Sequence, residues 1–249
     1  TFFVFSDYMK PTVRLAALME LPVKYVWTHD AFRVGEDGPT HQPVEQEAQI
    51  RLMEKLKNHS GENSMLVLRP ADATETTIAW KLALENTQTP TALILSRQGI
   101  KDVPAKPGSN RYQEALQAAK GAYVVKEAEG KPDVILLANG SEVSTLCEGA
   151  EILEKEKGLK ITIVSAISEG LFRQQSEDYQ TSIIPDDVPV FGLTAGLPVS
   201  LQGLAGCKGK VVGMESFGFS APYNVLDEKL GYTGETVAKE VEQYLKAYK

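Results

Sequence analysis

Apolar residues along this chain fall into short continuous runs separated by stretches with helical spacing. The runs at 21–27, 65–68 and 91–95 read as buried strands. Between them, Val13, Leu15, Ala16, Leu18 and Met19 give 7–20 a helix-like apolar face, and Ile50, Met53 and Leu56 do the same for 44–59. A helix is predicted over 73–86, with Asp72 as its N-cap and Glu75 completing a capping-box-like pair. Strands alternating with helices predict parallel β-α units. Phe2, Phe5 and Tyr8 recur every three residues, a spacing that ordinarily marks a core stripe.

Residues 100–110 hold Pro104, Pro107 and Gly108 among polar residues and read as a linker. A second pattern follows, with strands predicted at 122–126, 133–137, 161–165, 188–193 and 210–214. Ser141 is placed to cap a helix reaching Lys157, with Val143, Leu146, Ala150 and Leu153 inward. A broken helix is expected over 169–184, and closing helices over 222–229 and 235–248. The fold class is therefore α/β: two three-layer α/β domains with mainly parallel sheets. The first has only three strands and an uncovered edge, so it is expected to be separable and less stable.

The net charge of −7 argues against a general nucleic-acid binder, although a local cluster of Arg and His can still receive an anion. Cys147 and Cys207 make no disulfide framework and suit a reducing compartment. No run approaches 18 apolar residues, so no membrane span is expected and cytoplasm is the default. The chain opens at Thr1 inside an apolar-aromatic segment, which suggests a piece of something longer.

The chemistry concentrates in THDAFRVGEDGPTHQP, which follows the first strand. His29 and His41, two of the three histidines, lie there with Asp30, Glu36 and Asp37. Loops beyond the C-terminal ends of strands are where α/β proteins hold ligands. Imidazoles and carboxylates there can bond hydroxyls, carry protons or meet an anion. Arg97, at the end of the third strand, is placed for an anion or for a salt bridge at a domain edge. Residues 35–39 also form a plausible turn by their own chemistry, so the residues alone leave a functional and a structural reading open. Residues 206–211 are no P-loop, because Val211 stands where Ser or Thr is required. Glu36 and Asp37 lack companions at metal-ligand spacing, and no metal site is expected in this chain.

The loop quoted above, with Arg69-Pro70-Ala71-Asp72 and Ser96-Arg97-Gln98, resembles the transketolase family. Asn139-Gly140-Ser141-Glu142-Val143 and Phe217-Gly218-Phe219-Ser220-Ala221-Pro222 resemble motifs of that family's C-terminal domain. The resemblance implies a partial pyrimidine-binding domain at 1–100, a linker at 101–120 and the C-terminal domain at 121–249. It implies transfer of a two-carbon ketol unit between sugar phosphates, with thiamine diphosphate and Mg²⁺ or Ca²⁺ in the complete enzyme. By the same resemblance, Phe2, Phe5 and Tyr8 match an aromatic pocket around the thiamine pyrimidine. His29 and Arg97 match residues that grip the sugar phosphate. Asp37 matches a residue that bonds a substrate hydroxyl and enforces stereochemistry. His41 matches a histidine that meets the reacting group, so His41 and Asp37 are the catalytic candidates. The family's catalytic glutamate and diphosphate-binding part are expected to lie outside this chain. The chain alone is therefore expected to bind no cofactor and to be inactive. A homodimer is implied for the complete enzyme. A split transketolase, a related thiamine-diphosphate enzyme such as dihydroxyacetone synthase, and a non-catalytic interaction module are the alternatives. Two features depart from the family pattern: residues 51–68 run long, and Phe219 stands where an acidic or small residue is common.

Overall fold

The computed structural model describes residues 1–248. The first part begins with a 3₁₀ helix at Phe3–Met9, then α1 (Lys10–Leu18), β1 (Lys24–Trp27), α2 (Gln46–Lys55), β2 (Leu66–Leu68), α3 (Ala73–Glu85) and β3 (Thr91–Ile94). Its sheet is wholly parallel, in the order β1-β3-β2. The predicted helix over 7–20 is thus split, and its apolar face differs from expectation. Val13, Ala16 and Ala17 are buried, whereas Leu15, Leu18 and Met19 are exposed. The predicted cap holds, since Asp72 Oδ1 accepts from the Glu75 amide at 2.7 Å. Glu75 reaches back one residue further than a capping box requires, accepting from the Ala71 amide at 2.8 Å.

The segment between α2 and β2 forms a small hairpin. Lys57 bridges Asn63, and Gly61 turns it with φ +83°. Glu20, at the end of α1, accepts from both the amide and the hydroxyl of Ser60. The hairpin is therefore fastened to the outside of the domain by the end of the first helix.

Half of the expected linker is helical, as α4 (Arg111–Ala115) and a 3₁₀ turn at Leu116–Lys120. The second part follows as β4 (Tyr123–Lys126), β5 (Val134–Ala138), α5 (Glu142–Lys157), β6 (Ile161–Ser165), α6 (Glu169–Arg173), α7 (Glu177–Ile183), β7 (Val190–Leu193), α8 (Val199–Ala205), β8 (Lys210–Val212), α9 (Tyr223–Leu230) and α10 (Gly234–Tyr248). The sheet order is β4-β6-β5-β7-β8, parallel except for β4. The break expected in 169–184 separates α6 from α7. The inward face of α5 is as predicted, with Val143, Leu146, Ala150 and Leu153 all buried. Ser141 precedes α5 but makes no capping bond, because its hydroxyl bonds Glu142 instead.

The two sheets share one core. Leu68, Leu93, Ile78 and Ala79 of the first part belong to the same buried cluster as Leu136, Ile163, Phe191 and Leu193 of the second. Each fully buried aliphatic side chain of this kind contributes roughly 1.5–3 kcal/mol. Separate clusters back each sheet on its other face, around Trp27 and Val67 in one and Ile135 and Val164 in the other. The shared cluster argues against a separable N-terminal part, because its inner face is covered by the second domain.

Polar groups reinforce the seam. Arg69, just beyond β2, pairs with Asp30 at 2.7 Å and Glu142 at 2.6 Å, and donates to Asn139 Oδ1 at 2.6 Å. Arg33 pairs with Glu142 at 2.9 Å and Asp227 at 2.6 Å. Burial, partly offset by Arg69, pushes the Asp30 carboxyl up. Burial also acts on Glu47, but Arg69 and Arg51 outweigh it and hold that carboxyl below its usual range.

Candidate functional site

The parallel ladder brings the ends of β1 and β3 together. Trp27 stands opposite Ile94, and the Leu95 amide donates to Trp27 O at 2.8 Å. His29 therefore emerges two residues beyond one strand, and Arg97 three residues beyond its neighbour. The charges of Arg97 and Asp37 both act on the His29 imidazole. Burial first, and Arg97 second, hold His29 below its ordinary value of 6.5, with Asp37 and Asp30 opposing. The ring is thus biased toward its neutral form.

His29 has φ +60°, the left-handed region that a β-carbon disfavours. Such a conformation costs on the order of 1 kcal/mol and is retained where surrounding contacts over-determine it. Here those contacts are visible. The Phe3 amide donates to Thr28 O at 2.7 Å, and the Thr28 amide donates to Thr1 O at 2.9 Å. Phe2 is thereby laid against His29, with ring centroids 3.6 Å apart and planes 12° from parallel. Thr28 Oγ1 lies 2.8 Å from His29 Nδ1, and Thr40 Oγ1 lies 2.9 Å from His41 Nδ1. A hydroxyl donating to Nδ1 leaves the proton of a neutral imidazole on Nε2, where it can be donated onward.

The spacing of Phe2, Phe5 and Tyr8 does not mark a core stripe. Phe3 takes the core position, Phe2 and Phe5 are half-buried, and Tyr8 is 81% exposed. The 3₁₀ geometry, at three residues per turn, aligns the three rings on one outer face. Phe2 to Phe5 and Phe5 to Tyr8 are each 6.0 Å between centroids. His41 stands edge-on to this row, 5.4 Å from Phe5 and 5.9 Å from Phe2. Phe2, Phe5, Tyr8, His29 and His41 therefore form one continuous aromatic surface, with Asp37 and Arg97 exposed beside it. Half-exposed rings in a row suit a flat heteroaromatic ligand, and imidazole with guanidinium suits an anion.

Gln42, Thr28 and Thr40 were not singled out from the sequence, although all three sit within the loop segment or directly before its histidines. The segment 217–221 also reaches this loop from the second domain. Ser220 Oγ donates to Glu36 O at 2.5 Å, and Lys229 Nζ lies 4.4 Å from the Phe219 ring centre, a cation over its face.

No helix among the described residues is long and apolar enough to cross a membrane.

Residues 1–102 match the family model for the transketolase pyrimidine-binding domain, and residues 121–233 match that for the transketolase-like C-terminal domain. A transketolase of Halalkalibacterium halodurans is 46% identical over 239 residues, covering 95% of this chain and 34% of the relative. The transketolase structure from Leishmania mexicana superposes with a TM-score of 0.85 at 37% identity, covering all of this chain and 34% of that one. A split-gene transketolase, described as an inactive beta4 tetramer, shares the fold at TM-score 0.73 and 24% identity, over 100% of this chain and 76% of that chain. The chain spans about a third of the length of the curated relatives it matches. Matched on both of its halves and over nearly its whole length, the chain belongs to the transketolase family.

Proposed function

We propose that this chain supplies the pyrimidine-side and substrate-side walls of a transketolase that moves a two-carbon ketol unit between sugar phosphates. The observation that carries the reading is the single surface on which Phe2, Phe5, His29 and His41 meet beside Asp37 and Arg97. The aromatic row fits the thiamine pyrimidine, which Phe2, Phe5 and Tyr8 would hold. Bound thiamine diphosphate, with Mg²⁺ or Ca²⁺, would supply reversible carbon–carbon bond cleavage. His29 and Arg97 bind the substrate phosphate with charged hydrogen bonds from two strand ends. His41 holds or moves a proton at the reacting oxygen, and Asp37 accepts from a substrate hydroxyl. On this reading the family's diphosphate- and metal-binding part and its catalytic glutamate would be supplied from outside this chain, which alone is expected to show no turnover. The complete enzyme is a cytoplasmic homodimer.

The test is a comparison of sugar and sugar phosphate as donors for the complete enzyme and its Arg97→Ala variant. Loss of one charged hydrogen bond, about 1.5–3 kcal/mol, should raise KM for phosphorylated sugars roughly ten- to a hundred-fold. Equal loss on both substrate classes would assign Arg97 to the fold rather than to phosphate.

A second reading makes the chain one subunit of a split enzyme. Its support is the 76% coverage of the split-gene chain. An intact mass of the natural protein distinguishes the two.

A further inference from the structure

The loop that carries Asp37 and His41 is held by groups that the proposed reaction leaves unassigned. Gln42 follows His41 and is buried. Its amide Nε2 donates to Gly35 O at 3.2 Å and to Phe219 O at 2.9 Å. The first bond closes the loop on itself. The second ties it to the second domain, 177 residues away. A side-chain amide has two N–H donors, and both are spent here. Ser220 adds its bond to Glu36 O in the middle of the loop.

The fit leaves no slack. A β-carbon on Gly218 would lie 2.1 Å from Gln42 Oε1, so the socket for this amide exists only because residue 218 has no side chain. A β-carbon on Gly38 would lie 3.2 Å from Ser220 Cβ, so loop and socket approach closely along their length. Phe219 is in turn steadied by Lys229.

We infer that Gln42 is a positioning residue for the reaction and that residues 218–220 of the second domain are its socket. Together they fix Asp37 and His41 relative to each other, which gives the C-terminal domain a part in the site through this loop. The inference rests on the transketolase reading above. Its physical basis is that reacting groups displaced by about 1 Å can lose on the order of a hundred-fold in rate. A glutamate at 42 would keep the shape but lose both donors, and would turn a negative charge toward two carbonyl oxygens.

The experiment uses the complete enzyme with Gln42→Glu, Gly218→Ala and Ser220→Ala, following kcat, KM for a sugar phosphate and thermal unfolding. Gly218→Ala is the most informative, because it lies in the other domain and pushes on the amide alone. Gln42→Glu and Gly218→Ala should lower kcat roughly ten- to a hundred-fold, with a smaller change in KM, because Arg97 stands beyond another strand and His29, at the start of the loop, is held by Phe2 and Thr28. Should the two stronger variants fold poorly, Ser220→Ala, on an exposed residue, should still lower kcat several-fold, and more than it raises KM. Unchanged kcat per folded molecule, or losses that follow Tm alone, would overturn the inference. A wild-type enzyme without ketol transfer would sink the underlying reading. An active wild type with unimpaired variants would sink this inference alone.

Discussion

The guanidinium of Arg69 meets the carboxylate of Glu142 at 2.6 Å, and the two side chains are 1% and 0% exposed. One residue directly follows β2 of the first sheet, and the other begins the helix after β5. The same guanidinium holds Asp30, and Glu142 also holds Arg33. Charges placed so deep are tolerated only in company, and here the company comes from both domains.

Arg69→Met should therefore destabilise the chain by about 3–5 kcal/mol, since Asp30 and Glu142 would keep buried charges without their main partner. Urea unfolding measures this. Lys131→Ala, which breaks the exposed Lys131–Asp187 pair, is the control and should leave the midpoint where it was.

Unfolding should be a single cooperative transition, because one core serves both sheets. Trp27 and Trp80 lie in the first part, so tryptophan fluorescence reports on that part, while far-UV circular dichroism reports on both. The two curves should coincide. A fluorescence change that precedes the loss of ellipticity would show that the first part opens alone.

The His29 titration should fall below 6.5, chiefly from burial and then from Arg97. Between the folded value and 6.5 the unfolded state binds the extra proton, so stability falls as pH drops through that window. Arg97→Gln should raise the midpoint, and Asp37→Asn should lower it further. Histidine NMR signals followed across pH provide the measurement. Inorganic phosphate bound between His29 and Arg97 should also raise it, and a midpoint indifferent to phosphate would argue against that pairing.

His41→Ala in the complete enzyme should lower kcat for sugars and sugar phosphates alike, by roughly a hundred-fold or more if it moves a proton. A defect confined to phosphorylated substrates would move His41 to the phosphate site.

Much of the architecture could be read from periodicity. The runs at 65–68 and 91–95 became β2 and β3, and the inward face of α5 was fully legible. Misreadings arose where local pattern and tertiary setting disagree. Leu15, Leu18 and Met19 look like a core face, but the chain buries the smaller Ala16 and Ala17 instead. The triplet spacing of Phe2, Phe5 and Tyr8 fits a core stripe equally well, and only the burial of Phe3 shows that the rings face outward. Ser141 has the right identity for a cap, yet the neighbouring Glu142 and Arg33 claim its hydroxyl. Within the site, the histidines were visible as rare residues in one loop. Gln42 was not, because its partner Phe219 O is a backbone atom distant in sequence. The seam formed by Asp30, Arg33, Arg69 and Glu142 was illegible for the same reason: each charge alone reads as surface.

The ladder that sets Trp27 opposite Ile94 has a bearing on how such a site can diverge. Neighbouring strands are spaced about 4.8 Å apart whatever side chains they carry. The backbone origins of His29 and Arg97, two and three residues beyond paired strands, therefore take much of their separation from the sheet. If an anion is held there as proposed, point changes at either position would alter its hold while leaving the spacing of the strands alone. Selection for a ligand of another size would have to work on loop length beyond the strands, making insertions rather than substitutions the route to a new specificity.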